Sequence, residues 1–222
     1  MRRRGRPAWR EGLRLRILRA MTPPKLIILG RDGILNHFRD DHVKAPEEWS
    51  PIPGALEAVA RLNHAGWHTV VATNQSGIGR GMIDMASLNA VHAHMMKLLM
   101  ARGGRIDAVF FCPHVPEDRC DCRKPLPGLM KQVGHRYGVD LGAVPMVCDN
   151  PRDLEAAHAA GCPPHLVRSG RAASLDDASL ASWLAAAPET RVHPDLAAFA
   201  DHLLRGAGGD AIDLDSGPMG LA

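Results

Sequence analysis

Lys25-Leu-Ile-Ile-Leu-Gly-Arg-Asp-Gly33 is the stretch that decides the fold. Its run from Leu26 to Leu29, cut off by Gly30, is the pattern of a parallel strand covered on both faces, because a strand with one wet face alternates polar and apolar residues. Outward from it, strand and helix alternate. Pro53-Gly54 opens a helix whose Leu56, Val59, Ala60 and Leu62 share a face, and Gly66 stops it in the left-handed conformation. His68 to Ala72 is the next strand. Asp84 caps a helix with Leu88, Val91, Met95, Leu98 and Leu99 at helical spacing, ended by Gly103-Gly104. Strands follow at Ile106 to Phe111, Val144 to Cys148 and His165 to Arg168, separated by helices from Pro127 to Tyr137 and from Arg152 to Ala160, with a last helix from Asp195 to Leu204. This order predicts an α/β fold, an open, doubly wound (Rossmann-like) parallel sheet. Ligands of such sheets bind beyond the carboxyl ends of the strands, so the residues just after each strand are where chemistry is expected.

A chain of 222 residues can bury a full core without disulfide staples. The net charge is +3, but residues 1–20 hold eight Arg and one Glu, a net +7, which leaves −4 for the rest. A slightly acidic body with four Trp, one Tyr and four Phe carries no nucleic-acid signature. No apolar run approaches the ~18 residues of a membrane span, and the Arg-rich start lacks the apolar region of a secretory signal. The chain therefore reads as soluble and cytoplasmic, a monomer with no nucleic-acid or membrane partner. Residues 1–20 read as a disordered or weakly helical extension, with an anionic-membrane or nucleic-acid arm as the rival reading. Residues 21–205 form the expected domain, and 206–222 a flexible tail.

The strand ends supply Gly30-Arg-Asp32-Gly33, Thr73-Asn-Gln-Ser-Gly77, Cys112-Pro-His114, Cys148-Asp149 with Asp153, and Arg168-Ser169. Clustered carboxylates need a cation, and oxygen ligands beside a phosphate-sized anion suit Mg²⁺. Thr73, Ser76 and the amides around Gly77 offer phosphate donors, and Lys124 adds positive charge. Taken singly, each has a plainer reading, an Asp as a helix cap or Thr-Asn-Gln-Ser-Gly as a turn.

Cys112-x-His114 and Cys120-x-Cys122 place three thiols and an imidazole within eleven residues, enough for a closed tetrahedral Zn²⁺ site. Four protein ligands leave no open position, so the role is structural: to hold the loop 112–122 that delivers Arg123 and Lys124. Two disulfides or free thiols are the alternative. Cys148 and Cys162 read as small buried residues, and His92 and His94 as solvated residues on a helix face.

Thr73-Asn-Gln-Ser-Gly-Ile-Gly-Arg80-Gly and Cys112-Pro-His-Val-Pro-Glu-Asp-Arg-Cys-Asp-Cys-Arg-Lys-Pro125 resemble the haloacid dehalogenase-like phosphatases without a large cap domain, in the branch of the heptose 1,7-bisphosphate 7-phosphatases and histidinol-phosphate phosphatases. The resemblance covers about residues 25–204. It implies a Mg²⁺-dependent phosphomonoesterase of a small phosphorylated sugar, with removal of the 7-phosphate of heptose 1,7-bisphosphate, a step towards lipopolysaccharide heptose, as the favoured reaction. Histidinol phosphate is the rival substrate. In that family the first strand ends in Asp-x-Asp, the first Asp forming an aspartyl-phosphate and the second working as acid and base. Carried over, Asp32 is the acid/base and, through its carbonyl, a Mg²⁺ ligand with Asp149. Thr73 and Lys124 hold the phosphoryl group, while Asp40, Asp41, Asn74, Gln75, Ser76 and Arg123 contact substrate. The nucleophile position is Gly30, which has no side chain, so the covalent step has no attacking group there. That departure supports a further alternative, a phosphosugar-binding protein without turnover. Phe38, Arg39, Cys148 and Asn150 also depart from the family's pattern.

Overall fold

A computed structural model describes residues 23–207. The expected extension at 1–20 and residues 208–222 of the expected tail lie outside the described residues, while Gly206 and Ala207, expected in the tail at 206–222, instead close the last helix. Within them a six-stranded parallel sheet runs in the order β3-β2-β1-β4-β5-β6, with β1 Leu26–Leu29, β2 His68–Asn74, β3 Ala108–Cys112, β4 Met146–Cys148, β5 Pro164–Val167 and β6 Arg191–His193. The helices are α1 Ala55–His64, α2 Met85–Met100, α3 Gly128–Tyr137, α4 Pro151–Ala160, α5 Asp177–Leu184 and α6 Leu196–Ala207, with one helical turn at Ser76–Gly79. The doubly wound sheet is as expected, and five strands fall where the apolar runs place them. Strand β6 and helix α5 were not anticipated. Arg191 and Val192 of β6 are exposed and α5 buries no residue fully, so neither carries a strong apolar period.

All four residues of β1 are buried because both faces are covered. Ile27 and Leu29 pack with Leu56, Val59 and Leu62 of α1, Val91, Met95 and Leu99 of α2, and Leu196 and Phe199 of α6. Leu26 and Ile28 face Leu129, Met130 and Val133 of α3 and Leu154 and Ala157 of α4. Burying each such side chain contributes roughly 1.5–3 kcal/mol. Cys148 and Cys162 lie in this second layer as small buried residues, as the sequence indicates.

The helix ends follow local chemistry. The Asp84 carboxylate accepts from the Ser87 amide at the start of α2, and the Asn150 side chain accepts from the Asp153 amide at the start of α4. Gly161 ends α4 at φ 78°. Strand order reverses direction between β1 and β4, and that is where a crevice opens at the carboxyl edge. No helix among the described residues is long and apolar enough to cross a membrane.

Candidate functional site

The loops after β1, β2 and β4 meet around a cleft of about 140 Å³, lined among others by Gly30, Asp32, Asp40, Thr73, Ser76, Arg123, Lys124 and Asp153. Asp32 projects from the first turn beyond β1. Its Oδ1 accepts from Arg31 Nη2 at 2.9 Å and Asn36 Nδ2 at 3.0 Å, and its Oδ2 from Gln75 Nε2 at 3.1 Å. Burial pushes this carboxyl upward, but the Arg31 guanidinium and the three hydrogen-bonding side chains outweigh it and hold Asp32 below the usual carboxylate range. Arg31 is itself 1% exposed, and its Nη1 lies 3.3 Å from His92 Nε2.

His92 is therefore not solvated, in contrast to the sequence reading. It is 8% exposed, and burial together with the Arg31 charge lowers it to about 4, so the ring stays neutral and accepts from Arg31. The helical period of α2 does not reveal this, because the partner is sixty-one residues away across the fold. His94, on the same helix, stands edge-on to the Trp49 ring.

Gln75 Nε2 also donates to Thr73 Oγ1 at 2.9 Å. One amide thus ties the acid after β1 to the hydroxyl after β2, and Gln75 is 1% exposed and outside the cleft lining. Asn74 does line the cleft, with its side-chain amide engaged by the backbone of Lys124. Its Nδ2 donates to the Lys124 carbonyl at 3.0 Å and its Oδ1 accepts from the Lys124 amide at 3.1 Å. Both residues, read from the sequence as substrate contacts, position other groups in this structure. Asp41 is exposed and outside the lining, its carboxylate paired with Lys44 Nζ at 2.6 Å and Arg39 Nη2 at 3.0 Å. Asp40 and Ser76 do line the cleft.

Lys124 is 4% exposed, with Nζ 2.8 Å from Asp153 Oδ1 and 2.9 Å from the Ala72 carbonyl. Asp149 is fully buried at the end of β4. Burial and the nearby Asp153 charge push it up to about 6, against the pull of Asn150 Nδ2 at 2.7 Å and the Arg171 amide at 3.2 Å. Its carboxylate lies against the backbone of Gly33, at φ 81°, and of Gly170, so a side chain at either glycine would overlap it. The Arg171 guanidinium is 3.7 Å from Asp149 Oδ2 and sits 3.5 Å from the centre of the Phe38 ring. Phe38, a departure from the family pattern, thereby supports a cation beside the buried acid. Asp153 was visible in the sequence at i+4 from Asp149, but only the structure pairs it with Lys124. Arg171, beyond the turn at Gly170, gave no signal of its own.

At Gly30 the backbone is unstrained for an L-residue. A Cβ there would meet Ile34 Cδ1 at 2.8 Å and Asp153 Oδ2 at 3.3 Å. Ile34 has filled the place where a side chain of residue 30 would start.

Beside the cleft, Cys112, His114, Cys120 and Cys122 bring their ligand atoms within 4.8 Å of one another. The sulfurs of Cys112 and Cys120 are 3.6 Å apart, those of Cys120 and Cys122 3.5 Å, and His114 Nδ1 is 3.3 Å from Cys122 Sγ. Tetrahedral thiolates with Zn–S bonds of ~2.3 Å stand about 3.8 Å apart, so the spacing fits zinc, and it is far beyond the ~2.05 Å of a disulfide. All five cysteines are free. Arg123 Nη1 donates to the His114 carbonyl at 3.1 Å, joining the loop to the cleft wall.

The HAD-hydrolase-like family model matches residues 121–199. The D-glycero-β-D-manno-heptose-1,7-bisphosphate 7-phosphatase of Bordetella bronchiseptica is 52% identical over 185 residues, covering 82% of this chain and 99% of the relative. The enzyme of the same name from Pseudomonas aeruginosa is 48% identical over 181 residues, covering 81% of this chain and 98% of its own. Among solved structures, D,D-heptose 1,7-bisphosphate phosphatase from B. bronchiseptica, complexed with magnesium and phosphate, matches with a TM-score of 0.74 at 48% identity, covering 82% of this chain and 99% of that one.

Proposed function

The chain belongs to the haloacid dehalogenase-like phosphatases, which are phosphoric monoester hydrolases, and on that premise we propose that it is a Mg²⁺-dependent sugar phosphatase acting on the 7-phosphate of D-glycero-D-manno-heptose 1,7-bisphosphate. The observation that carries the reading is the single cleft in which Asp32, Thr73, Ser76, Arg123 and Lys124 share one wall at the switch point of the sheet. The substrate follows from the relatives, whose names specify it.

In this reading Thr73, Ser76 and the Lys124 ammonium hold the phosphoryl oxygens, and Gln75 fixes the Thr73 hydroxyl relative to Asp32. Asp32, a carboxylate as Arg31 holds it, would take up a proton from solvent and pass it to the departing sugar oxygen. No carboxylate stands at residue 30, so water is the attacking group and turnover is slow. Asp153, whose Oδ2 lies 3.3 Å from where that Cβ would stand, is the base that takes the proton of the attacking water. The residues fit Mg²⁺: two buried acids lie close together, Asp153 paired with the Lys124 ammonium, while burial and the Asp153 charge raise Asp149 to about 6 in spite of the Arg171 guanidinium beside it. Asp149 and the Asp32 carbonyl would hold the ion, one anionic ligand short of the family's set. Bound there, Mg²⁺ supplies charge neutralisation to the phosphate. Zn²⁺ in the Cys112, His114, Cys120 and Cys122 site is structural.

The test is phosphate release, with Mg²⁺, from heptose 1,7-bisphosphate and from histidinol phosphate. Preference for the heptose supports the proposal, and preference for histidinol phosphate overturns it. Gly30 favours a second reading, binding without turnover, which predicts calorimetric binding of the bisphosphate and no phosphate release.

A further inference from the structure

Arg31 carries a permanent charge at 1% exposure, and among the described residues its guanidinium has two side-chain partners, Asp32 and His92. We propose that His92 is a positioning residue for phosphoryl transfer: from α2 it fixes the Arg31 fork, and the fork fixes which oxygen of Asp32 is free to exchange a proton. The proposal rests on the phosphatase reading above and adds to it a residue outside the cleft lining on which Asp32 depends.

The donors around Asp32 are unevenly shared. Arg31 Nε and Nη2 both donate to Oδ1, at 3.3 and 2.9 Å, and Asn36 Nδ2 adds a third donor at 3.0 Å. Among the described residues, Oδ2 accepts from the Gln75 side chain alone. Each carboxylate oxygen offers about two lone-pair sites, so Oδ1 is saturated and Oδ2 keeps room for a proton. The oxygen that serves the departing sugar is thus Oδ2, and the donors on Oδ1 select it.

A guanidinium on a flexible stem holds that selection only if its plane is set. Nη1 is the remaining corner of the fork, and it lies 3.3 Å from His92 Nε2. Arginine only donates, so Nε2 accepts and the proton of the neutral ring sits on Nδ1. A carboxylate in this place would compete with Asp32 for the guanidinium, whereas a neutral imidazole takes one hydrogen bond and leaves the ion pair with Asp32 intact. The ring is rigidly carried, because Leu88, Val91, Met95 and Leu99 of the same helix are buried and His92 falls among them. A side chain on a packed helix is placed more closely than one on a loop. The Arg31 backbone is set as well, its carbonyl accepting from the Leu35 amide at 2.9 Å and the Asn36 amide at 3.3 Å. Gln75, bonded both to Asp32 Oδ2 and to the Thr73 hydroxyl, carries the same alignment on to the phosphoryl donors.

Two measurements on the full chain test the assignment. Histidine ¹⁵N resonances at pH 7, with His92 identified by its loss in His92→Gln, should show the Nδ1–H tautomer. The Nε2–H tautomer or a charged ring overturns the proposal, because neither leaves Nε2 free to accept. Phosphate release from heptose 1,7-bisphosphate with Mg²⁺ is then compared for His92→Leu and His92→Gln, in the chain itself and in the Gly30→Asp background. His92→Leu removes the acceptor and should lower kcat by about tenfold to a hundredfold with KM within about twofold. His92→Gln keeps a neutral oxygen acceptor and should hold kcat within about threefold of the parent. A Leu variant as fast as its parent, or both variants impaired alike, overturns the positioning role and leaves the phosphatase reading standing. No turnover in any of these chains overturns that reading, and the positioning role with it.

Discussion

Replacing Gly30 with Asp restores a carboxylate where the sheet edge lacks one, and the structure sets the size of both effects. The new Cβ would stand 2.8 Å from Ile34 Cδ1, a side-chain end that can rotate away, so strain of about 1–3 kcal/mol is expected. At this chain length that lowers the melting temperature by about 2–10 °C. The carboxylate also faces Asp153, 3.3 Å from the Cβ, and the buried Asp149, which adds repulsion that Mg²⁺ relieves. Mg²⁺ should therefore raise the melting temperature of the variant more than that of the parent. Loss of a nucleophile commonly costs about four to six decades in rate, so turnover of heptose 1,7-bisphosphate should rise by that factor, a barrier lower by about 5–8 kcal/mol. The assay is phosphate release with Mg²⁺, run beside melting curves with and without the ion. Ile34→Val in the same background makes room for the new side chain and separates strain from chemistry. A folded, Mg²⁺-responsive variant that turns over no faster than the parent would refute the assignment of residue 30.

Other outcomes follow from the same geometry. Cys120→Ser should lose bound zinc and lower the melting temperature, and unchanged metal content by elemental analysis would remove the metal site. Lys124→Met leaves Asp153 buried without its cation; a loss of about 3–5 kcal/mol in denaturant unfolding is expected, and a loss below about 1 kcal/mol would show that the pair is not held as described. His92 and His165 are lowered to about 4 and about 3 by burial, so between pH 6.5 and 4 the unfolded chain binds more protons and stability falls with the pH. For His92 alone the fall reaches about 3 kcal/mol. Asp149, raised to about 6, acts in the opposite direction over pH 4–6, so the informative quantity is the difference between the parent and His165→Phe. The variant should show the flatter acid limb in its melting temperatures, and parallel limbs would contradict the burial of that ring.

Strands β1 to β5 were legible because each is a short apolar run ended by glycine or a polar cluster, and Asp84 and Gly161 punctuate their helices by mechanisms that act within a few residues. Strand β6 was not, since an edge strand need bury only one residue of three. The candidate site divides in the same way. Asp32, Thr73, Lys124 and the four metal ligands stand where strand ends put them, whatever the side chains around them do. Asn74 and Gln75 share that address, but their amides satisfy groups inside the fold, and side-chain direction is not encoded in position along a strand end. The Arg31 to His92 contact and the Phe38 to Arg171 stack join segments far apart in the chain, which no local period reports.

The pair of hydrogen bonds between the Asn74 amide and the backbone of Lys124 makes a side chain act as one more rung of the sheet. Lys124 is thereby anchored by β2, and again by Asp153 and the Ala72 carbonyl, independently of the neighbouring thiols. Arg123 has no such anchor in the sheet and takes its place from the cysteine loop. Two inheritances meet at residue 124: a reactive edge built by the sheet, and a recognition rim built by the loop. Change in the loop can therefore retune which molecule is chosen while leaving untouched the ammonium that receives it.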